Sequence, residues 1–271
     1  MLFWSQLYVW VKVFCNKIFN ESKTCDAYRY YHDGDHTDRD VSALVWSGDR
    51  ENREKPIFVL SAEGGAIMEG RKKKILMING CIRGRASRTW RLAEAFLKAA
   101  KASAARSFSY TQLDLAQLDL KPLTGDFFEE RQRFLEQNDR SHPRFDLARQ
   151  FAQADRILVA APFWDLSIPA VLKLYIENIS LDGITFGCNE KGMYGMCRAE
   201  DMLFFTTRGG FYGDGPMEQG ARYLNALCGM FGIPKFRCIC AEGMDFEPER
   251  EEELMACAVR EAEEAGRQYW K

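Results

Sequence analysis

The chain has 271 residues, 46% hydrophobic and 28% charged, with a formal net charge of −2. That length allows one large domain or two small ones, and the apolar content suffices for a sizeable core. The near-neutral balance excludes a general electrostatic case for nucleic acid, while nine irregularly spaced cysteines suit reduced thiols in a cytoplasmic protein rather than a disulfide framework.

In chain order, Met1 to Phe19 is apolar and aromatic but interrupted by Lys12, Asn16 and Lys17. It lacks the unbroken span a membrane helix needs, so no stable membrane insertion is expected. It also lacks the basic start and small-residue cleavage site of a signal peptide, which leaves a peripheral amphipathic helix as the membrane-related reading. Residues 20–70 are polar and irregular, punctuated by Asp33-Gly34-Asp35, Gly48-Asp49-Arg50 and Gly64-Gly65, with one short strand expected at Ile57 to Leu60. Residues 1–70 therefore read as an irregular N-terminal extension and 71–271 as the folded domain.

From Lys74 the pattern alternates strand and helix. Strands are expected at Lys74 to Asn79, Phe108 to Leu113, Arg156 to Ala161, Met202 to Thr206 and Phe236 to Ala241. A helix from Ser87 to Ala104 follows the first strand, with Leu92, Ala95, Phe96, Ala99 and Ala100 on one face. Two charged helices are expected over 125–138 and 144–154. The helix that opens at Pro169 has the cleanest period, through Ile168, Val171, Leu172, Tyr175, Ile176 and Ile179. Leu224, Leu227, Cys228 and Phe231 mark the next helix, and Glu249 to Tyr269 the last, whose glutamate-rich face reads as solvated. This alternation implies an α/β fold with a parallel sheet covered on both faces. Five strands fit the doubly wound, flavodoxin-like order 2-1-3-4-5, whose ligands bind beyond the carboxyl ends of the strands at the switch point.

Three loops should meet at that edge. The first, Asn79 to Thr89, ends on Ser87, a good N-cap. A helix terminus with open amides, two hydroxyls and Arg83, Arg85 and Arg88 suits a phosphate. The second, Pro162 to Ile168, offers the Phe163-Trp164 surface, which suits a flat heteroaromatic ring. The third, Thr206 to Pro216, places four glycines within seven residues and lets a backbone approach a ligand closely. Each loop alone also suits a plainer role, as a capped helix, a core-packed aromatic pair or a surface loop; their convergence favours the ligand site. No Walker pattern, Gly-x-Gly-x-x-Gly or metal-spaced cluster is present, so an ATP P-loop, a Rossmann dinucleotide site and a metal centre are not expected.

From Lys74 to about Glu247 the chain resembles the flavodoxin-like, FMN-dependent NAD(P)H oxidoreductases, the NADH azoreductases and NAD(P)H-quinone reductases. The matching pieces are Ser87-Arg88-Thr89, Ala161-Pro162-Phe163-Trp164-Asp165-Leu166 with Leu172-Lys173-x-Tyr175, Gly183-Ile184-Thr185-Phe186, Thr207-Arg208-Gly209-Gly210 and Ala241-Glu242-Gly243. The resemblance implies that Ser87, Arg88 and Thr89 hold the FMN phosphate. It implies that Pro162, Phe163, Trp164, Asp165 and Leu166 run along the isoalloxazine, and that Thr207, Arg208, Gly209 and Gly210 border its other side. Cys81 stands where the family commonly has a small hydroxyl residue. Asp165 stands where azoreductases often have asparagine, and a carboxylate facing the ring would disfavour a negatively charged reduced flavin. The implied reaction is ping-pong: hydride passes from NADH or NADPH to FMN, and two electrons then pass to a quinone, azo or other electron-poor aromatic acceptor. No side-chain acid is required; for Tyr212 an acceptor contact and a packing role are both open, with packing the favoured one. A homodimer is expected by the same resemblance. A flavodoxin-type electron carrier without NAD(P)H turnover, and a cofactor-free interaction protein on the same fold, are the alternatives.

Overall fold

A computed structural model describes residues 71–104 and 108–269. The strand expected at Ile57 to Leu60, the amphipathic reading of Met1 to Phe19 and the 1–70 extension lie outside the described residues.

Strand β1 (Lys74–Asn79) is buried at every position after Lys74. Successive side chains of a strand point to opposite faces, so β1 serves two cores at once. Ile75 and Met77 pack with Leu92 and Phe96, whereas Leu76 and Ile78 pack with Phe151, Leu172 and Tyr175. Helix α1 (Arg88–Ser103) follows, and the Ser87 hydroxyl accepts from the Trp90 amide at 3.3 Å as the expected N-cap. Strand β2 (Ser109–Asp114) has no buried residue and a polar sequence, which suits the sheet edge it occupies. The two charged helices form as α2 (Gly125–Glu136) and α3 (Asp146–Gln153). Both are shorter than the periodicity suggests, because Asn138 takes φ 57° just beyond α2 and a 3-10 turn, Pro143–Phe145, precedes α3.

Strand β3 (Arg156–Ala160) leads through the aromatic loop to α4 (Ala170–Ile179). Next comes a feature absent from the sequence reading: β4 (Phe186–Asn189) and β5 (Gly192–Gly195) form an antiparallel hairpin outside the main sheet. The hairpin seats on the end of α5 (Gly220–Phe231), which follows β6 (Met202–Thr207). At the contact a Cβ on Gly195 would lie 1.9 Å from the Gly232 nitrogen, so only glycine fits there. Gly232 itself takes φ 76° and returns its amide to the carbonyls of Cys228 and Gly229, the left-handed cap that ends a helix. Strand β7 (Phe236–Ala241), a 3-10 turn at Pro248–Arg250 and α6 (Glu251–Gln268) complete the described residues.

The main sheet runs β2-β1-β3-β6-β7, all parallel, which is the expected 2-1-3-4-5 order once the hairpin is set aside. Helices α1 and α6 cover one face, and α3, α4 and α5 the other. The carboxyl ends of β1, β3 and β6 are thereby neighbours. Among the described residues no helix is long and apolar enough to cross a membrane.

Candidate functional site

The loops after β1, β3 and β6 bound an open cleft of about 260 Å³. Of the residues expected there, Cys81, Ser87, Arg88, Pro162, Phe163, Trp164, Thr207, Arg208 and Gly209 line it. Arg83, also expected there, lines it as well, whereas Arg85 does not; Ile82, Met244 and Asp245 are additions. Thr89, Asp165, Leu166, Gly210 and Tyr212 lie outside the lining, though all sit on the same three loops.

The first loop is fixed from below. The Gly80 amide donates to the Ala160 carbonyl at 2.8 Å, and the buried Asn79 side chain accepts from the Cys81 amide at 3.0 Å. Cys81 is 2% exposed, and burial pushes its thiol up to about 11 against the opposing Ser87 hydrogen bond. A thiol so placed stays protonated and unreactive near neutrality, because the thiolate is the nucleophile. Alkylation of the native protein at mildly alkaline pH is therefore expected to label the exposed Cys188 and Cys257 and spare Cys81. Peptide mass mapping that found Cys81 labelled as fast as Cys257 would contradict this.

At the start of α1 the side chains are already engaged. The Thr89 hydroxyl is fully buried and shares a 2.7 Å hydrogen bond with that of Thr207, tying the first loop to the third. The Arg88 guanidinium makes a bidentate pair with Glu251 at 2.8 and 2.7 Å and reaches Asp245 at 2.9 Å. The Asp245 hydrogen bond, with Glu251 adding to it, holds Arg88 above its ordinary range. What is open is the backbone. Arg91 donates to the Ser87 carbonyl and Trp90 to its hydroxyl, whereas the Arg88 and Thr89 amides have no acceptor among the described residues. Two open amides at the positive end of a 16-residue helix are suited to receive an anion.

The second loop doubles back on itself. Trp164 and Ser167 exchange backbone hydrogen bonds at 3.1 and 2.8 Å around Asp165 and Leu166, which take φ 48° and 64°. Positive φ at both central residues is the pattern of the type I′ turn, normally built from Asn and Gly. Leucine there costs about 1–2 kcal/mol, and such strain persists where surrounding structure imposes it. The turn projects Trp164, 42% exposed, at the cleft wall. Asp165 lies at the exposed tip, away from the cleft lining, so the expected effect of its charge on a ring is not supported by its position.

The third loop is organised by Arg208, which is 5% exposed. Its guanidinium pairs with Glu218 at 3.1 Å and with Glu242 at 2.7 Å, and donates to the Gly213 carbonyl at 3.1 Å. Glu242 also accepts from the Tyr212 and Gly213 amides, and Glu218 from the Ala221 amide at the start of α5. Arg208 lies 5.5 Å from the Phe163 ring, which in turn packs at 4.8 Å on Tyr212. Loop three is zipped to the segment after β7 by the Met244, Asp245 and Gly243 amides donating to Arg208, Gly209 and Gly210. That zipper brings Met244 and Asp245 into the cleft, and nothing in their local sequence signals it.

The family described as a flavodoxin-like fold matches residues 73–265. An FMN-dependent NADH:quinone oxidoreductase 2 of Clostridium acetobutylicum is 39% identical over 133 residues, covering 48% of this chain and 66% of that protein. The FMN-dependent NADH:quinone oxidoreductase of Caldicellulosiruptor saccharolyticus is 35% identical over 162 residues, covering 54% of this chain and 81% of the relative. Among solved structures, the azoreductase from Bacillus anthracis str. Sterne superposes with a TM-score of 0.63 at 26% identity, over 72% of this chain and 99% of that one. The chain thus spans about two thirds of the length of the first of these relatives.

Proposed function

Because this chain belongs to the flavodoxin-like-fold family that also holds FMN-dependent NADH:quinone oxidoreductases, we propose that it is an FMN-dependent oxidoreductase. Its reductant is NADH and its acceptor a quinone, azo compound or similar electron-poor aromatic. The observation that carries this reading is one cleft with two unlike ends. The open Arg88 and Thr89 amides present an anion site, and the exposed Trp164 ring presents a flat apolar wall. A flavin mononucleotide has a phosphate for the first and a ring for the second, so the residues present fit it.

Bound FMN would supply the redox chemistry, taking hydride from NADH and giving two electrons to the acceptor. The chain's part is binding and orientation. Ser87, Arg88 and Thr89 would receive the phosphate through backbone amides rather than through the Arg88 guanidinium. Pro162, Phe163 and Trp164 would line one side of the ring, and Thr207, Arg208 and Gly209 the other. Arg208 would act from beneath, holding the third loop in shape. Cys81 would serve as a buried floor, since its hydrogen bond runs to the Ala160 carbonyl. Asp165, Leu166 and Gly210 would set loop shape, and Tyr212 would stand behind Phe163 near the acceptor. Residues 71–271 would be the flavin-binding unit.

We place the protein in the cytoplasm, which suits its free cysteines, and read it as a homodimer. Trp164, Leu166, Phe211 and Met217 leave apolar surface exposed on the second and third loops and the approach to α5. A second copy would cover it and deepen a cleft that alone falls below the usual range of about 300–1,000 Å³ for ligand pockets. Steady-state rates measured with FMN present, varying NADH and a simple benzoquinone, test the proposal. Parallel double-reciprocal lines are expected, since one site serves both substrates in turn. Absence of NADH-dependent quinone reduction would reject it.

A further inference from the structure

The cleft contains a carboxylate that the resemblance did not assign, and it sits where an anionic ligand must enter. Asp245 lines the same cleft as Ser87, Arg88 and Gly209. One carboxylate oxygen takes the Arg88 guanidinium at 2.9 Å. The other lies only 2.6 Å from where a Cβ on Gly209 would stand, so the side chain lies along the bare backbone of the third loop. It therefore bridges the helix terminus and the glycine loop across the mouth of the cleft. The side chain is exposed, so its charge faces the ligand's approach rather than being spent inside the protein.

The charges at this terminus do not favour a phosphate as the arginines alone suggest. Arg88 already faces two carboxylates, Glu251 and Asp245, and brings no free positive charge. Of the other two arginines lining the cleft, Arg208 is held by Glu218 and Glu242, and Arg83 is in no ion pair among the described residues. Attraction for a phosphate is left to the two open amides and Arg83, opposed by Asp245. We propose that Asp245 sets the affinity of the cleft for the phosphate of its ligand, by occupying Arg88 and by repelling the anion at the α1 terminus. The site would then hold FMN more weakly than its donors allow, and would discriminate less between FMN and its phosphate-free analogue riboflavin. This inference rests on the FMN reading above.

The Asp245→Asn variant tests it, because the segment's position depends on backbone bonds from residues 243–246 to the 208–210 strip that the substitution leaves in place. FMN and riboflavin are each titrated into the full-length wild-type chain and into the variant, and binding is followed by quenching of flavin fluorescence. At low salt FMN should bind the variant roughly three- to tenfold more tightly, the scale of one exposed charge acting across a few ångströms. Riboflavin should bind both proteins alike, and the gain for FMN should shrink at high salt. Asp245→Ala should give the same gain, separating charge from side-chain shape. FMN affinity that is unchanged or weakened in both variants, or riboflavin affinity that rises in step with it, would overturn the proposal. Failure of both flavins to bind the wild-type chain would instead remove the FMN reading itself.

Discussion

Replacing Arg208 with methionine is expected to lower the unfolding free energy by about 3–5 kcal/mol, the cost of leaving a buried carboxylate without its partner. Glu218 is 3% exposed, and among the described residues Arg208, at 3.1 Å, is the one side-chain cation paired with it. The stem of methionine can fill much of the arginine's volume, so the loss reports charge more than cavity. Chemical denaturation of the single variant and of the Arg208→Met, Glu218→Gln pair checks this. Recovery of a good part of the loss in the pair is expected, since contacting residues are not additive. Glu242 would also lose its hold on the Tyr212 and Gly213 amides, and the third loop with it. A single variant as stable as the parent would show that the network contributes nothing.

Replacing Trp164 with alanine should act in the opposite register, on binding and not on stability. The ring is 42% exposed and forms the apolar wall of the cleft. Its turn is closed by backbone bonds between Trp164 and Ser167, which alanine can also make. If a flavin ring lies on it, the variant should bind FMN about five- to a hundredfold more weakly, since stacking of a base on an aromatic is worth about 1–3 kcal/mol. The denaturation midpoint, read at a concentration where copies do not associate, should stay where it is. Unchanged FMN affinity would mean that the ring of the ligand lies elsewhere.

The frame of this molecule is readable from its residues because each strand solves a burial problem visible locally. The apolar runs at 75–78 and 157–161 leave no choice but a central strand covered on both faces. The charged or polar stretch at 109–114 belongs to an edge. The β4–β5 hairpin is different. Its strands are four residues each, with Gly187, Gly192 and Gly195 where side chains would signal alternation. What holds it is the close approach of Gly195 to Gly232, a contact between distant segments. The glycines and the Asn189-Glu190-Lys191-Gly192 run were the available turn signal.

The site divides in the same way. The helix terminus at Ser87 and the aromatic loop are local features, and they lie where the strand order puts them. The fate of each charge is not local. Arg88 meets Glu251, 163 residues away, and Arg91 meets Glu252, so the start of the glutamate-rich helix is not simply a solvated face. Arg208 reads as a ligand contact; it does line the cleft, but the sequence does not show that it is also the buried hub of the third loop. A guanidinium seeks the nearest carboxylate that folding brings to it, and sequence spacing does not say which one that is. Leu166 at positive φ is likewise unreadable, because the turn it closes carries none of the usual Asn-Gly chemistry.

One cleft is expected to bind FMN and expose it to NADH. An anaerobic absorption spectrum of the FMN-reconstituted chain, recorded while NADH is added in steps, tests this most directly. A bound-flavin band that bleaches in proportion to added NADH and returns when a quinone is supplied is the expected result. Flavin that binds but stays oxidised under excess NADH would contradict it.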